Sequence, residues 1–232
     1  MSYDEATLTR LREESAQIMG RYPSGHERSA LIPMLHLIQS YDGYVSPDGI
    51  RFCAETLNLT TSEVSAVATF YSQFRRHPGG QYHVGVCTNA LCAVMGGDAV
   101  WDAVSEHLGI GNDGVTEDGS ISLERIECNA ACDYAPVVMV NWEFFDNQTP
   151  ESACALIDDI EAGKPLHPTR GSAVLPTFKE TEHVLAGFLD GHENEGPSAG
   201  EASTLGLRIA EERGWSAPAD VPAEEGKEKD GE

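Results

Sequence analysis

Over the first third of the chain, apolar residues recur every three to four positions, the period of an amphipathic helix. Leu8, Leu11, Ile18 and Met19 share one side of residues 7–20, and Gly20 and Pro23 supply stop signals. Residues 29–39 carry Leu31, Met34, Leu35 and Ile38 at helical spacing, with Pro33 tolerable in a first turn. Ser46-Pro47 reads as an N-cap followed by an N1 proline, ahead of Ile50, Cys53, Ala54 and Leu57. Thr60-x-x-Glu63 fits a capping box before Val64, Val67 and Ala68. Four short helices with short links predict a small helical bundle over 1–79, closed by Pro78-Gly79-Gly80.

Beyond that break the period changes. Residues 82–86 (YHVGV) read as a strand, and 98–108 as a helix through Val100, Trp101, Val104 and Leu108. Residues 111–119 are turn-rich, 120–127 (SISLERIE) extended, and 137–142 an apolar, β-branched run suited to a buried strand. From Asn141 the chain either pairs back on that strand or continues it. Thr149-Pro150 caps a last helix over 151–162, ended by Gly163 and Pro165. The order strand, helix, strand, strand, helix predicts a compact α/β unit over 80–165. The fold class expected is therefore α+β or α/β: a helical bundle, then a mixed sheet with helices, then an extension over 166–232.

Charge separates that extension from the rest. The chain has 232 residues, with 38 acidic against 15 basic side chains and a formal net charge of −23. Fourteen acidic and four basic residues lie between Glu180 and Glu232. Such a stretch, rich in Gly, Pro, Glu and Ala, is expected to be largely irregular and low in complexity. Its apolar residues Val184, Leu185, Phe188 and Leu189, and further on Leu205, Leu207, Ile209 and Trp215, are expected to order on a partner's surface, with a solvated solubility tail as the plainer alternative. So acidic a surface repels phosphate, which excludes nucleic acid and anionic membrane as main partners. No apolar run approaches the ~20 residues of a membrane span, and the acidic opening MSYDEATLTRLREE lacks the apolar segment of a signal peptide. A cytoplasmic location is expected.

Six cysteines lie at 53, 87, 92, 128, 132 and 154. Cys87 and Cys92 bracket TNAL, Cys128 and Cys132 bracket NAA, and each pair follows a predicted strand, so two loops at one sheet edge can bring four sulfurs together. Disulfides are disfavoured in a reducing compartment, and a redox dithiol wants Cys-x-x-Cys, which is absent. Four thiolates suit a 2Fe–2S cluster or a Cys₄ zinc site. The small residues Thr88, Asn89, Ala90, Asn129, Ala130 and Ala131 let backbone N–H groups reach sulfur, which favours the cluster. Zinc remains open on spacing alone.

Cys87-Thr-Asn-Ala-Leu-Cys92 together with Cys128-Asn-Ala-Ala-Cys132-Asp-Tyr-Ala-Pro136-Val-Val resembles the cluster motif of the thioredoxin-like 2Fe–2S ferredoxins. Upstream, Arg21-Tyr-Pro23, the stretch SALIPMLHLIQ at 29–39 and Val67-Ala-Thr-Phe-Tyr71-x-x-Phe74 resemble one branch of that family, the E subunits of bacterial NADH–quinone oxidoreductase, respiratory complex I. The resemblance covers about residues 10–165. It implies a thioredoxin-like fold and a 2Fe–2S cluster held by Cys87, Cys92, Cys128 and Cys132. It further implies a partner subunit that carries FMN, the NADH site and a 4Fe–4S cluster, beside other iron–sulfur subunits on the inner face of the cell membrane. The chain would pass single electrons within a proton-translocating oxidoreductase, with no independent activity and no catalytic side chain of its own. The related subunit of a soluble NAD-linked hydrogenase or formate dehydrogenase shares the module and is the nearest alternative; a Cys₄ zinc adaptor is the alternative of another class. A cluster inside so acidic a chain should have a low potential, near the roughly −400 mV of all-cysteine 2Fe–2S ferredoxins. Ala130 departs from the pattern, since relatives often place glycine there; a positive φ at that position would strain alanine.

Other features have plainer readings. Gly109-Ile-Gly111-Asn-Asp-Gly114 matches G-x-G-x-x-G but follows a helix, so Gly109 reads as a helix C-cap. Cys53 and Cys154 read as structural cysteines on apolar helix faces. His83 and His107 lie near the cysteine loops in sequence but are not expected as ligands beside four thiols. Arg75-Arg76-His77 reads as a solvated basic turn, or else as a docking contact to an acidic partner.

Overall fold

The computed structural model describes residues 3–192, 195–196 and 199–216. The bundle forms where the pattern places it. Helix α1 (Glu5–Met19) is capped by Asp4, α2 (Leu31–Asp42) follows a 3-10 turn over Glu27–Ala30, α3 (Pro47–Leu57) starts on Ser46 with Pro47 in its first turn, and α4 (Thr61–Phe70) starts on the Thr60–Glu63 capping box. Their inward faces close one core around Leu11, Ile18, Met34, Leu35, Ile38 and Phe52. Cys53 is fully buried there, and burial alone pushes its thiol up to about 12.

The second part is a five-stranded sheet in the order β2-β3-β1-β4-β5. Strand β1 (Tyr82–Cys87) leads through a short helix α5 (Ala90–Val94) and α6 (Gly97–Leu108) to β2 (Gly114–Val115) and β3 (Ile121–Ile126). β3 lies parallel to β1, with Tyr82 opposite Ile121 and Cys87 opposite Ile126. On the other side of β1 runs the antiparallel β4 (Val138–Val140), which turns back into β5 (Glu143–Phe145). The chain therefore pairs back after Asn141, through a turn in which Asn141 and Trp142 both have positive φ, as a two-residue hairpin needs. Helix α7 (Pro150–Glu161), started by Thr149, packs against α6, and together they cover the face that carries Val84, Val86, Ile121 and Leu123. Gly109 caps α6 in the left-handed region, as its sequence setting requires.

Because side chains alternate along a strand, His83, Gly85 and Cys87 point to the opposite face, with Ser122, Glu124 and Ile126 beside them on β3. One end of that face carries the cysteines. The other end meets the bundle through a buried polar seam.

The extension over 166–232 differs from its expectation in part. Residues 178–185 do not wait for a partner: α8 (Phe178–Leu185), started by a Thr177–Glu180 capping box, packs on α2 of the same chain. Phe178 and Ala186 are buried, and Phe188 packs at the edge of the bundle core. Glu182 is fully buried and accepts hydrogen bonds from Gln39 Nε2 (2.7 Å) and Trp142 Nε1 (3.1 Å), with His36 Nδ1 at 2.6 Å. The basic turn needs correction as well. Arg76 and His77 are exposed, whereas the Arg75 guanidinium turns inward onto His83 Nδ1 at 2.6 Å and stands 3.6 Å from Glu124. Helix α9 (Glu201–Glu212) belongs to a separate unit, Ala199–Glu232, in which Leu205, Leu207 and Trp215 are exposed; the part of the extension over 217–232 lies outside the described residues.

Candidate metal centre

The two cysteine loops leave the C-terminal ends of neighbouring parallel strands. Cys87 ends β1, and its N–H donates to the Val137 carbonyl at 3.1 Å. Asn89 then turns the chain: its side-chain amide donates to the Ile126 carbonyl at 3.0 Å and lies 3.8 Å from the Cys87 sulfur, tying the first loop to β3. α5 carries Cys92 inward, to 3% exposure. Gly97 makes this approach possible, because a Cβ there would lie 2.6 Å from the Cys87 carbonyl oxygen and 2.8 Å from that of Cys92. The second loop leaves β3 after Ile126 and presents Cys128, then Cys132 at the start of a 3-10 turn (Cys132–Tyr134).

Cys87, Cys92, Cys128 and Cys132 line one small recess together with Ile126, Asn129, Ala131 and Val137. Cys87 and Cys92 are buried, Cys132 is half-buried and Cys128 is exposed. The sulfurs stand as two pairs. Cys128 and Cys132 are 3.5 Å apart, and the Cys92 thiol is hydrogen-bonded to Cys87. Among the described residues, no three His, Cys, Asp or Glu side chains close around one point as a cage for a single ion would.

Burial pushes the Cys92 thiol up to about 11, helped by the hydrogen bond to Cys87, while the Val137 backbone pulls the other way. The hydrogen bond with Cys128 raises Cys132, with burial second. These thiols hold their protons until a cation compensates the charge, which is what metal ligation does. The Ala130 N–H points at the Cys128 sulfur at 3.4 Å, one of the backbone contacts the small loop residues were expected to allow. Ala130 has φ of 57°, so alanine occupies a left-handed position that costs an L residue roughly 1–2 kcal/mol.

Both histidines lie elsewhere. His107 pairs with Asp158 at 2.7 Å, between α6 and α7. His83 is buried at the far end of β1. Its Nδ1 accepts from Arg75, with Ser122 Oγ at 3.2 Å, which leaves the proton on Nε2, facing Glu124 at 3.2 Å. Cys154 on α7 and Cys53 in the bundle are not among the residues lining the recess. One contributor was not visible as a site residue in the sequence: Gly97 carries no motif.

A family model described as thioredoxin-like [2Fe-2S] ferredoxin matches residues 15–161. The E subunit of NADH-quinone oxidoreductase from Mycobacterium tuberculosis is 55% identical over 97% of this chain and 88% of its own length. NADH-quinone oxidoreductase subunit 2 of Thermus thermophilus is 36% identical over 65% of this chain and 83% of its own. Among solved structures, an NAD+-reducing [NiFe]-hydrogenase in the air-oxidized state aligns with a TM-score of 0.52 at 21% identity, over 57% of this chain and 23% of that one, a likeness of fold. The chain belongs to the thioredoxin-like [2Fe-2S] ferredoxin family, among relatives named as the E subunit of NADH-quinone oxidoreductase.

Proposed function

We propose that Cys87, Cys92, Cys128 and Cys132 hold one 2Fe–2S cluster, and that the chain is the electron-transfer subunit of an NADH–quinone oxidoreductase. The observation that carries this reading is the recess itself: four thiols from two loops, in pairs, with no nitrogen or carboxylate ligand among its lining residues. A purely sulfur donor set selects iron–sulfur or zinc, and two pairs suit two irons better than one central ion. Bound there, the cluster would supply one-electron redox chemistry.

The chain's own residues do the rest. Ile126, Val137 and Ala131 wall the recess and keep water from the buried side, where Cys87 and Cys92 lie. Asn89 and Gly97 fix the first loop, and the Ala130 N–H offers a hydrogen bond to sulfur, the kind of contact that tunes a cluster's potential. The exposed Cys128 side marks where electrons enter or leave, and the neighbouring exposed Leu91, Val94 and Met95 on and just after α5 supply an apolar surface for the redox partner. That partner is the subunit holding FMN and the NADH site, beside the other iron–sulfur subunits of an arm peripheral to the inner face of the membrane. Among the described residues no helix is long and apolar enough to cross a membrane. The division into a bundle over 1–79, a ferredoxin-like domain over 80–165 and an acidic extension over 166–232 belongs to the same proposal.

The test is to mix the cluster-loaded chain with the flavin-carrying subunit and follow the visible spectrum on adding NADH. The cluster is expected to be reduced only with the partner present. Stoichiometric NADH binding by the chain alone, measured by calorimetry, would overturn the assignment.

A further inference from the structure

Past the end of the matched family segment at residue 161, the chain returns to the sheet and touches the second cysteine loop. Thr169 donates its N–H to the Phe144 carbonyl at 2.8 Å, and Phe144 and Arg170 form an antiparallel bridge that extends the edge of β5. The Arg170 guanidinium then makes a two-pronged contact with Asp146, Nε at 3.0 Å and Nη2 at 2.7 Å, and stands 3.6 Å from Asp133. It lies over the rings of Tyr134 and Phe144, 5.4 and 4.9 Å from their centroids. Asp133 and Tyr134 directly follow Cys132 in the same 3-10 turn, and the Tyr134 carbonyl accepts from the Asn147 N–H at 2.9 Å. The Arg170, Asp146 and Asp133 side chains keep only 15%, 8% and 23% of their exposure, so this contact is screened far less than a surface pair.

We infer that Arg170 is a positioning residue for the cluster: it clamps the Cys132-Asp133-Tyr134 turn against β5 and sets a fixed positive charge between two carboxylates, Asp133 of that turn and Asp146 just after β5. The inference rests on the ligand assignment proposed above. A planar fork holding one carboxylate with two bonds, while stacked on two rings, cannot be reproduced by lysine, whereas its charge can. The two roles therefore separate.

The experiment uses the full chain with its cluster reconstituted anaerobically, as wild type, Arg170→Met and Arg170→Lys. Two quantities are read: the rate at which a soluble iron chelator bleaches the cluster, and the midpoint potential from an EPR-monitored titration. Arg170→Met is expected to speed bleaching by about tenfold and to lower the potential, because an added electron then faces Asp133 and Asp146 without their counter-charge. Arg170→Lys is expected to recover the potential but not the slow bleaching, a split that a merely structural side chain does not give. Should the methionine variant not accumulate, Thr169→Val removes a hydroxyl that donates to the Asp146 carboxylate at 2.8 Å and accepts from the Asp146 N–H at 3.1 Å, which loosens the Arg170–Asp146 contact and is expected to speed bleaching as well. Wild-type bleaching in Arg170→Met, or in Thr169→Val where it has to stand in, overturns the inference. If the wild-type chain takes up no cluster, it is the ligand assignment that fails.

Discussion

Replacing Glu182 with alanine should be among the most damaging changes outside the cysteine recess, although this residue lies in the acidic extension. Its carboxylate is fully buried and collects Gln39, His36 and Trp142, from α2 and from the β4–β5 turn, onto α8. Removing it leaves three donors without that acceptor, and an orphaned buried donor costs about 1–3 kcal/mol. Two discounts apply. Gln39 Nε2 keeps a second bond to the Gln73 carbonyl at 3.2 Å, and Trp142 is only half-buried, so water can serve it. The net expectation is a loss of about 3–5 kcal/mol, the usual range for breaking a buried charged contact by deleting one partner. Glu182→Gln should lose less, about 1–3 kcal/mol, because one amide oxygen still accepts. The assay is urea unfolding of the full cluster-free chain, followed by tryptophan fluorescence, at two salt concentrations. Buried contacts are little screened, so the loss should persist at high salt. A loss under about 1 kcal/mol for Glu182→Ala would refute the reasoning, since α8 would then not be anchored through this carboxylate.

Three further outcomes follow from named contacts. Gly97→Ala forces a methyl against the Cys87 and Cys92 carbonyl oxygens, so it should cost about 1–3 kcal/mol in thermal or urea unfolding and hasten iron loss to a chelator. Ala130→Gly relieves the left-handed strain but frees the unfolded chain, so a net gain of about 0.5–1 kcal/mol in urea unfolding is expected, with cluster uptake retained. His83 has its pKa lowered by burial, with Arg75 adding to the effect and Glu124 opposing it. Its neutral form therefore contributes stability that is complete above the unfolded pKa near 6.5 and is lost as pH falls toward the lower folded value. Unfolding free energies from urea titrations, measured downward from pH 7, should fall less steeply in His83→Gln than in wild type, by up to about 1.4 kcal/mol per pH unit.

Much of this was legible in the residues. Ser46-Pro47, Thr60-x-x-Glu63 and Thr149-Pro150 announce helix starts because each supplies an acceptor for a free N–H, and all three cap where expected. The cysteine loops were legible as well, because each pair directly follows a strand-like run, and the loops do leave the ends of β1 and β3. α8 was not legible as part of the fold, although Thr177-x-x-Glu180 is a capping box of the same kind. The stripe Phe178, Glu182, Ala186 that faces α2 has a carboxylate at its centre, and no local pattern shows that His36 and Gln39 wait for it across the core. Arg75 was hidden in the same way: its partners His83 and Glu124 come from strands whose register only the folded sheet defines. Long-range polar pairs leave no periodicity.

The central claim, that four cysteines hold a two-iron cluster, is tested most directly on the anaerobically purified full chain, by iron, sulfide and zinc content together with the visible and reduced-state EPR spectra. The account expects iron and acid-labile sulfide in equal amounts, a brown chain, and a paramagnetic signal on one-electron reduction. It expects these to be lost or severely perturbed when Cys87, Cys92, Cys128 or Cys132 becomes serine, and kept in Cys53→Ala and Cys154→Ala. A colourless chain containing stoichiometric zinc, or a full cluster spectrum in Cys132→Ser beside its loss in Cys154→Ala, would contradict it.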